Sequence, residues 1–407
     1  MEVLRRRKRN FFLIPVRKNK SEADFKLSLA VHENKPRNFF SKLMFVLNII
    51  AVFFLLLSYL AAFVSPAGSF WWLQIIALTY GFLLLLNLAF VIFWILLRRK
   101  LFWISTIAIV IGYSKIFSIA EPRFSNEINP VKDSATVFPI KVMSFNVRLF
   151  DLYNWFHTNE TREKIFEFLK KESADIVCFQ EYYSSDRKLA DFNNNKLVPG
   201  VLSTSYSHIE YTVTLRDSDH WGIAIFSRHK IINKQAVHFE KRGGNIFIYA
   251  DILVGNDTLR IFNTHLESIR FRNEDYRYLT NLQNDVEQDE VAGGIKILNR
   301  LKRAYAKRAR QVNILVSEIE KSPYPVILAG DFNDTPSSYT YHQVADRLKD
   351  AFRESGSGFG KTYAGLFPSF RIDFLFHSEN LTSSHYYTHR EKISDHYPIT
   401  TWVEPLK

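Results

Sequence analysis

A single cysteine, Cys178, stands among the 407 residues, which excludes an internal disulfide and any zinc site built from several thiolates. Acidic residues are missing altogether from 43–120. The charge is therefore lopsided: residues 1–120 carry 16 Lys/Arg and 4 Asp/Glu, whereas 121–407 carry 37 of each, so the whole formal excess of +12 lies in the first 120 residues. A basic chain ordinarily suggests a nucleic-acid partner. The neutrality of 121–407 weakens that suggestion, because counterion release needs clustered cations. What is plentiful is apolar and aromatic: 47% hydrophobic residues, with 36 Phe and 19 Tyr, rule out a disordered or collagen-like chain. The length exceeds what one hydrophobic core usually organises, so two regions or more are expected.

The acid-free region also holds the long apolar runs. Residues 43–64 are 22 without a charge, enough to cross ~30 Å of hydrocarbon as a helix. Ser65, Pro66, Ala67 and Gly68 make a turn, and a second uncharged run of 29, 69–97, opens on Trp71 and Trp72, residues suited to the headgroup level. Arg98, Arg99 and Lys100 end it. The third run, 101–120, contains Lys115, whose ammonium has to snorkel to an interface. A buried core helix is the plainer origin of any one such run, but the lengths of the first two speak against it. The organisation expected is a basic cytoplasmic tail at 1–42, about three transmembrane helices at 43–64, 69–97 and 101–120, a polar linker at 121–138 and a catalytic domain at 139–405. The tail does not read as a signal peptide, since its apolar stretch at 11–16 is short and has no cleavage pattern. Twelve Lys/Arg in 1–42 and the three at 98–100 belong on the cytoplasmic side. Three crossings then make a multi-pass membrane protein whose catalytic domain is extracytoplasmic.

From residue 140 onward short β-rich runs alternate with helical patterns. Strands are expected at 141–146, 176–180, 222–226, 246–253, 259–264, 326–329, 372–376 and 399–403, and helices at 162–171 and 295–321. There is no internal repeat and no low-complexity stretch. Polar clusters sit where the strands end, as in most α/β proteins: FNVR at 145–148, QE at 180–181, NTHL at 263–266, GDFND at 330–334, RIDF at 371–374 and SDHYP at 394–398. Together they offer Asn146, Glu181, His265, Asp331, Asn333, Asp373, Asp395 and His396. The set has hard oxygen ligands, imidazoles and amides but no thiolate ligand and no G-x-S-x-G serine, which favours Mg²⁺, Mn²⁺ or Ca²⁺ over zinc and suits metal-assisted attack of water on phosphorus. Asp331 and Asn333, at i and i+2, are expected to point the same way from an extended segment; the adjacent Asp395 and His396 should diverge. Taken singly, each residue would pass as a turn former or cap. The run Lys302, Arg303, Lys307, Arg308 and Arg310 reads as a solvated helix face, with anionic lipid headgroups as the sharper alternative.

Those six motifs, in this order, resemble the endonuclease/exonuclease/phosphatase superfamily, which includes pancreatic deoxyribonuclease, apurinic endonucleases and bacterial sphingomyelinases. The resemblance covers about 139–405 and none of the apolar region. It implies an α/β fold of two packed mixed β-sheets flanked by helices, a four-layer sandwich, preceded here by an all-α transmembrane region. By the same resemblance Glu181 is the principal Mg²⁺ ligand, with Asn146 and Asp395 beside the metal. Asp331 orients or deprotonates the attacking water, Asn333 and His396 bind phosphoryl oxygens, Asp373 keeps His396 protonated, and His265 assists the leaving group. Arg148 and Arg371 are expected to contact substrate. The implied function is a membrane-anchored Mg²⁺-dependent phosphohydrolase acting on nucleic acid, a phospholipid headgroup or a small organic phosphate, with the bilayer and no protein partner implied. A catalytically silent phosphate-binding domain is the alternative. Residues 271–300 match nothing in that pattern.

Overall fold

The computed structural model describes residues 18–123, 137–158, 160–187, 192–240, 243–269, 290–365 and 370–406, with backbone alone at 18–38 and 290–292. Most of the expected linker, 124–136, and residues 271–289 of the unmatched segment lie outside the described residues. Helix α1, Lys18–Leu60, takes in much of the expected tail and continues into Phe39–Leu60, 22 residues that form the one described helix long and apolar enough to cross a membrane. The second expected span divides into α2 (Leu73–Leu78) and α3 (Tyr80–Leu96). Thr79 lies between them and donates its hydroxyl to the Ile76 carbonyl at 2.9 Å, a back-bond that loosens helices. The third becomes α4 (Phe102–Ile111) and α5 (Tyr113–Ile116), parted by Gly112. A Cβ at Gly112 would stand 2.1 Å from the Tyr59 ring, so glycine is what lets Tyr59 pass and donate to the Ala108 carbonyl at 3.2 Å. By helix length, one span stands where three were expected.

α1, α3 and α4 nevertheless pack on one another through a chain of polar side chains. Trp94 Nε1 donates to Asn48 Oδ1 at 2.9 Å, Asn48 Nδ2 to Ser105 Oγ at 2.6 Å, and the Ser105 hydroxyl to Asn87 Oδ1 at 2.9 Å. The opposite faces of these helices leave Phe53, Phe82, Leu85, Ile92 and Ile107 exposed.

The rest of the chain forms two six-stranded sheets. The first runs β13 (Leu381–Thr388), β14 (Ile399–Pro405), β2 (Ile140–Asn146), β3 (Ile176–Ser185), β5 (Asp219–Ser227), β4 (Tyr206–Leu215). The second runs β10 (Lys349–Asp350), β12 (Asp373–His377), β9 (Val326–Asp331), β8 (Asp257–His265), β7 (Ile246–Val254), β6 (Lys230–His238). Within each sheet one pair is parallel, β2 with β3 and β8 with β9, so both are mixed. Side chains of a strand alternate between faces, and here both faces are apolar. Ile140, Val142, Ile176, Cys178 and Ile225 of the first sheet meet Ile246, Ile248, Ile261, Ile327 and Leu375 of the second between the layers. The other face of the first sheet, with Phe145, Val177 and Phe179, packs under α6 (Thr161–Glu172) and α7 (Asn194–Leu202). That of the second, with Phe262, Leu328 and Phe374, packs under α8 (Glu290–Glu320) and α9 (Tyr339–Ala345). The two mixed sheets flanked by helices are the fold expected from the sequence.

This domain is fastened to one end of the helical bundle. The Tyr339 N–H at the start of α9 donates to Gln74 Oε1 at 3.1 Å, and the Phe63 ring lies 4.4 Å from that of His342. A second contact is made by Arg371, whose Nε donates to the Ser118 carbonyl at 3.0 Å, and Ala120–Glu121 (β1) pairs with Gly358–Phe359 (β11).

Candidate active site

The site is assembled where strands of both sheets end side by side. Asp331 closes β9, His265 closes the parallel β8 as its register partner, and Asp373 opens the antiparallel β12 as the partner on the other side. Asn146 closes β2 in the first sheet, beside Gln180 of β3. Gly330 sets the spacing: a Cβ there would stand 2.4 Å from the Thr264 carbonyl oxygen, so only glycine lets β8 approach so closely. Glu181 sits at an irregularity of the β3–β5 ladder with φ 50°, a left-handed backbone that is costly for a non-glycine residue and re-aims its side chain.

Asp331 is the hub, buried and doubly held. Its Oδ1 accepts the Asn333 N–H at 2.8 Å and its Oδ2 accepts Asn146 Nδ2 at 3.0 Å. His265 Nε2 stands 3.6 Å from Asp331 and 3.8 Å from Glu181, and His396 Nε2 3.8 Å from Asp331. His396 Nδ1 lies 2.9 Å from Asp373 Oδ2, and the Tyr363 ring packs edge-on against the imidazole. Asp395, next to His396, turns the other way and pairs with Arg148 Nε at 3.3 Å, while the Arg148 guanidinium lies over Trp155.

Burial pushes the Asp331 carboxyl up, with Asp373 adding to the rise and His396 opposing it. Desolvation also raises Glu181; the Asp395 and Asp331 charges reinforce this and the two imidazoles oppose it. Burial works against a charged His396, but the Asp373 and Asp331 carboxylates outweigh it and hold its pKa well above the ordinary histidine value. Four carboxylates thus share their surroundings with two imidazoles and one guanidinium. A divalent cation would relieve that crowding, and the oxygen donors suit a hard ion. Asp331, Asp373 and His396 offer ligand atoms within 4.8 Å of one another, a different trio from the Glu181, Asn146 and Asp395 expected as ligands from the sequence. The buried His265 Nε2, aimed between two carboxylates, has no hydrogen-bond partner, an orphaned polar atom that a bound group would satisfy.

Nine of the ten expected residues lie at or beside this cluster, although Asn333 is placed differently from the expectation. It does not extend from Asp331 on a strand; its φ of 52° closes a turn over the Asp331 carboxylate, and its amide donates to the Leu266 carbonyl at 3.1 Å. Arg371 is not brought to the cluster. Its guanidinium is buried and forked onto Asp350 at 3.0 and 2.5 Å, with Nε on Ser118, so it is tied to Asp350 and not aimed at the cluster. Residues that sequence reasoning passed over hold the cluster from behind. Gln180 Nε2 donates to Asn263 Oδ1 at 2.7 Å, and Asn263 Nδ2 reaches the carbonyls of Phe179 and Ala224, tying the two sheets together. Arg308, read as a solvated cation, is buried between Asp334 and the Glu267 carbonyl. It lies three residues after Tyr305 and four before Val312, so the spacing that gave α8 its core face already placed it inside.

A two-sheet sandwich with carboxylates, imidazoles and amides gathered at its strand ends defines a phosphoester hydrolase. Residues 143–396 match the endonuclease/exonuclease/phosphatase family, and the chain belongs to that family. Residues 41–119 match a domain of unknown function. Solved structures similar to this chain include an endonuclease/exonuclease/phosphatase from Bacteroides vulgatus, 15% identical, covering 66% of this chain and 100% of that one at a TM-score of 0.48. The human nocturnin catalytic domain with bound sulfate is 17% identical, covering 66% and 95% at 0.46. A mannosyl-6-phosphatase of Bacteroides thetaiotaomicron is 15% identical, covering 65% and 99% at 0.46. No curated protein matches the chain.

Proposed function

We propose that the protein is a membrane-anchored, divalent-metal-dependent phosphohydrolase, with Mg²⁺ the ion its donor set fits best and Mn²⁺ or Ca²⁺ the alternatives. The observation that carries this reading is the convergence on buried Asp331 of His265, Asn146, Asn333 and His396, with the unpartnered His265 Nε2 between Asp331 and Glu181. Glu181, Asn146 and Asp395 would hold the metal, which when bound polarises the phosphoryl group and offsets its developing charge. Asp331, whose raised pKa suits it to take a proton, orients and deprotonates the attacking water. His396, charged through Asp373, donates to a phosphoryl oxygen with Asn333 beside it. His265 assists the leaving group, and Arg148 contacts the phosphate from the rim. Substrates in this reading are phosphoesters: nucleic acid, a phospholipid headgroup or a small organic phosphate.

The anchor is the bundle at 43–120. Leu73–Leu78 and Tyr80–Leu96 are interrupted at one residue only, so 73–96 still rises about 36 Å. The polar chain from Trp94 to Asn87 is the kind of interhelical contact that favours association in lipid. Both places where the domain is fastened lie at the end of the bundle away from Arg98, Arg99 and Lys100, which supports an extracytoplasmic catalytic domain.

The test is a substrate panel on the full chain in detergent, with plasmid DNA, RNA, sphingomyelin, phosphoinositides and bis(p-nitrophenyl) phosphate, run with Mg²⁺ and after chelation. Hydrolysis of at least one, lost on chelation and collapsed in Glu181→Ala, is expected. Full activity in protein shown to hold no metal would sink the mechanism.

A further inference from the structure

The N-terminal part of α8 is covered less than the rest of the helix. From Leu301 onward the helix is packed, with Leu301, Tyr305, Val312 and Leu315 buried. Before it, Ile295 and Leu298 are 53% and 43% exposed. With Lys302 they stand at i, i+3 and i+7 and so share one face. That face has a direction, because the Lys302 ammonium lies 5.6 Å from the centre of the Trp71 ring. Trp71 belongs to the turn after α1, where Phe70 and Trp72 are 56% and 40% exposed. The stripe therefore adjoins the aromatic end of the bundle, at the level where aromatic and cationic residues meet headgroups.

Charge points to the same occupant. Between Glu290 and Glu318 the helix has seven Lys/Arg and no acid. Arg308 is used up on Asp334, and Lys307 on Glu240 and Glu267. Lys296 and Arg303 are exposed, roughly a third of a turn from the apolar stripe. An apolar stripe flanked by cations is the pattern of a helix lying in a membrane interface.

We propose that residues 295–303 rest on the bilayer, with Ile295 and Leu298 entering the acyl boundary and Lys296 and Arg303 meeting anionic headgroups. This rests on the reading of 43–120 as a membrane anchor. The same helix carries Arg308, which holds the Glu267 carbonyl two residues beyond His265, so the helix seated on the lipid is also one that supports the site.

The experiment uses the full chain in lipid nanodiscs with a nitroxide at Ile295→Cys or Leu298→Cys. Ile314→Cys, exposed on the same helix further along, is the aqueous reference, and Phe53→Cys, exposed on α1, the hydrocarbon one. The native Cys178 is buried and takes no label. Collisions with oxygen should exceed those with a nickel chelate at 295 and 298, as at 53, with the reverse at 314. Adding phosphatidylglycerol to phosphatidylcholine should raise that excess, and Lys296→Glu with Arg303→Glu should remove the rise. Nickel access at 295 and 298 equal to that at 314, while 53 stays in hydrocarbon, overturns the inference and leaves the anchor standing. Nickel access at 53 overturns the anchor as well. Dipolar broadening between labels at 298 in paired chains would mean that a second copy covers the stripe, and also overturns it.

Discussion

Asp373 and His396 meet at 2.9 Å, and almost nothing of either reaches solvent. A proton on that imidazole is held there by the carboxylate, so the two side chains act through one charge. His396→Ala and Asp373→Asn should each lower kcat by ~10²-fold or more. The double variant should be little worse than the worse single one, since a unit is lost only once. Strictly additive losses in steady-state kinetics would show that the residues work separately. The two arginines expected at the substrate should separate just as clearly. Arg371→Ala leaves the buried Asp350 carboxylate without its counter-ion, at a cost of about 3–5 kcal/mol, read as a lowered midpoint of urea unfolding. Arg148→Ala, at the open rim, should leave that midpoint nearly unchanged and raise KM. At this scale the sequence was legible where a motif supplied both chemistry and neighbours, as with Asp331, His265 and His396. It was not legible for Arg371, because its partner, Asp350, lies 21 residues upstream and belongs to no motif.

Among elements, the strands that escaped sequence reading share a place in the sheets. β4, β6 and β13 are all edge strands. A central strand here is apolar on both faces and announces itself as a run of Ile, Val and Phe; β6, by contrast, alternates exposed and half-buried residues and carries Lys230, Asn233, Lys234 and Gln235. α7 was missed for its composition, since it includes Asn194, Asn195 and an internal Pro199. The long apolar runs erred in the opposite direction: composition showed that 69–97 and 101–120 were apolar, but not that Thr79 and Gly112 would interrupt their helices. Strand contact also yields a prediction. Gly330→Ala must push β9 away from β8 immediately before Asp331, with destabilisation of about 1–3 kcal/mol by urea unfolding. Activity should fall by more than the unfolded fraction explains, because the displaced residue precedes the hub. Full activity at full stability would mean that the strands can separate without cost.

For the whole molecule, the proposed anchor predicts the side of the membrane on which the catalytic domain lies. In the proposed anchor three crossings place residues after Arg123 outside the cytoplasm, whereas two crossings, with 101–120 lying flat on the inner face, leave them inside. Fusing alkaline phosphatase after Arg123, and in parallel a fluorescent protein that folds only in the cytoplasm, should give an active phosphatase and a dark fluorophore. The reverse pattern would return the enzyme to the cytoplasm.

Gln74, through Tyr339, and Ser118, through Arg371, both hold the catalytic domain to the bundle. A domain hung on one flexible strap sweeps a wide volume and samples every attitude. One pinned twice keeps a single elevation above its base, like a lathe tool set at a fixed height. If 43–120 is the anchor proposed above, its reach is then a property of the frame, and the phosphates it meets are those carried at that height.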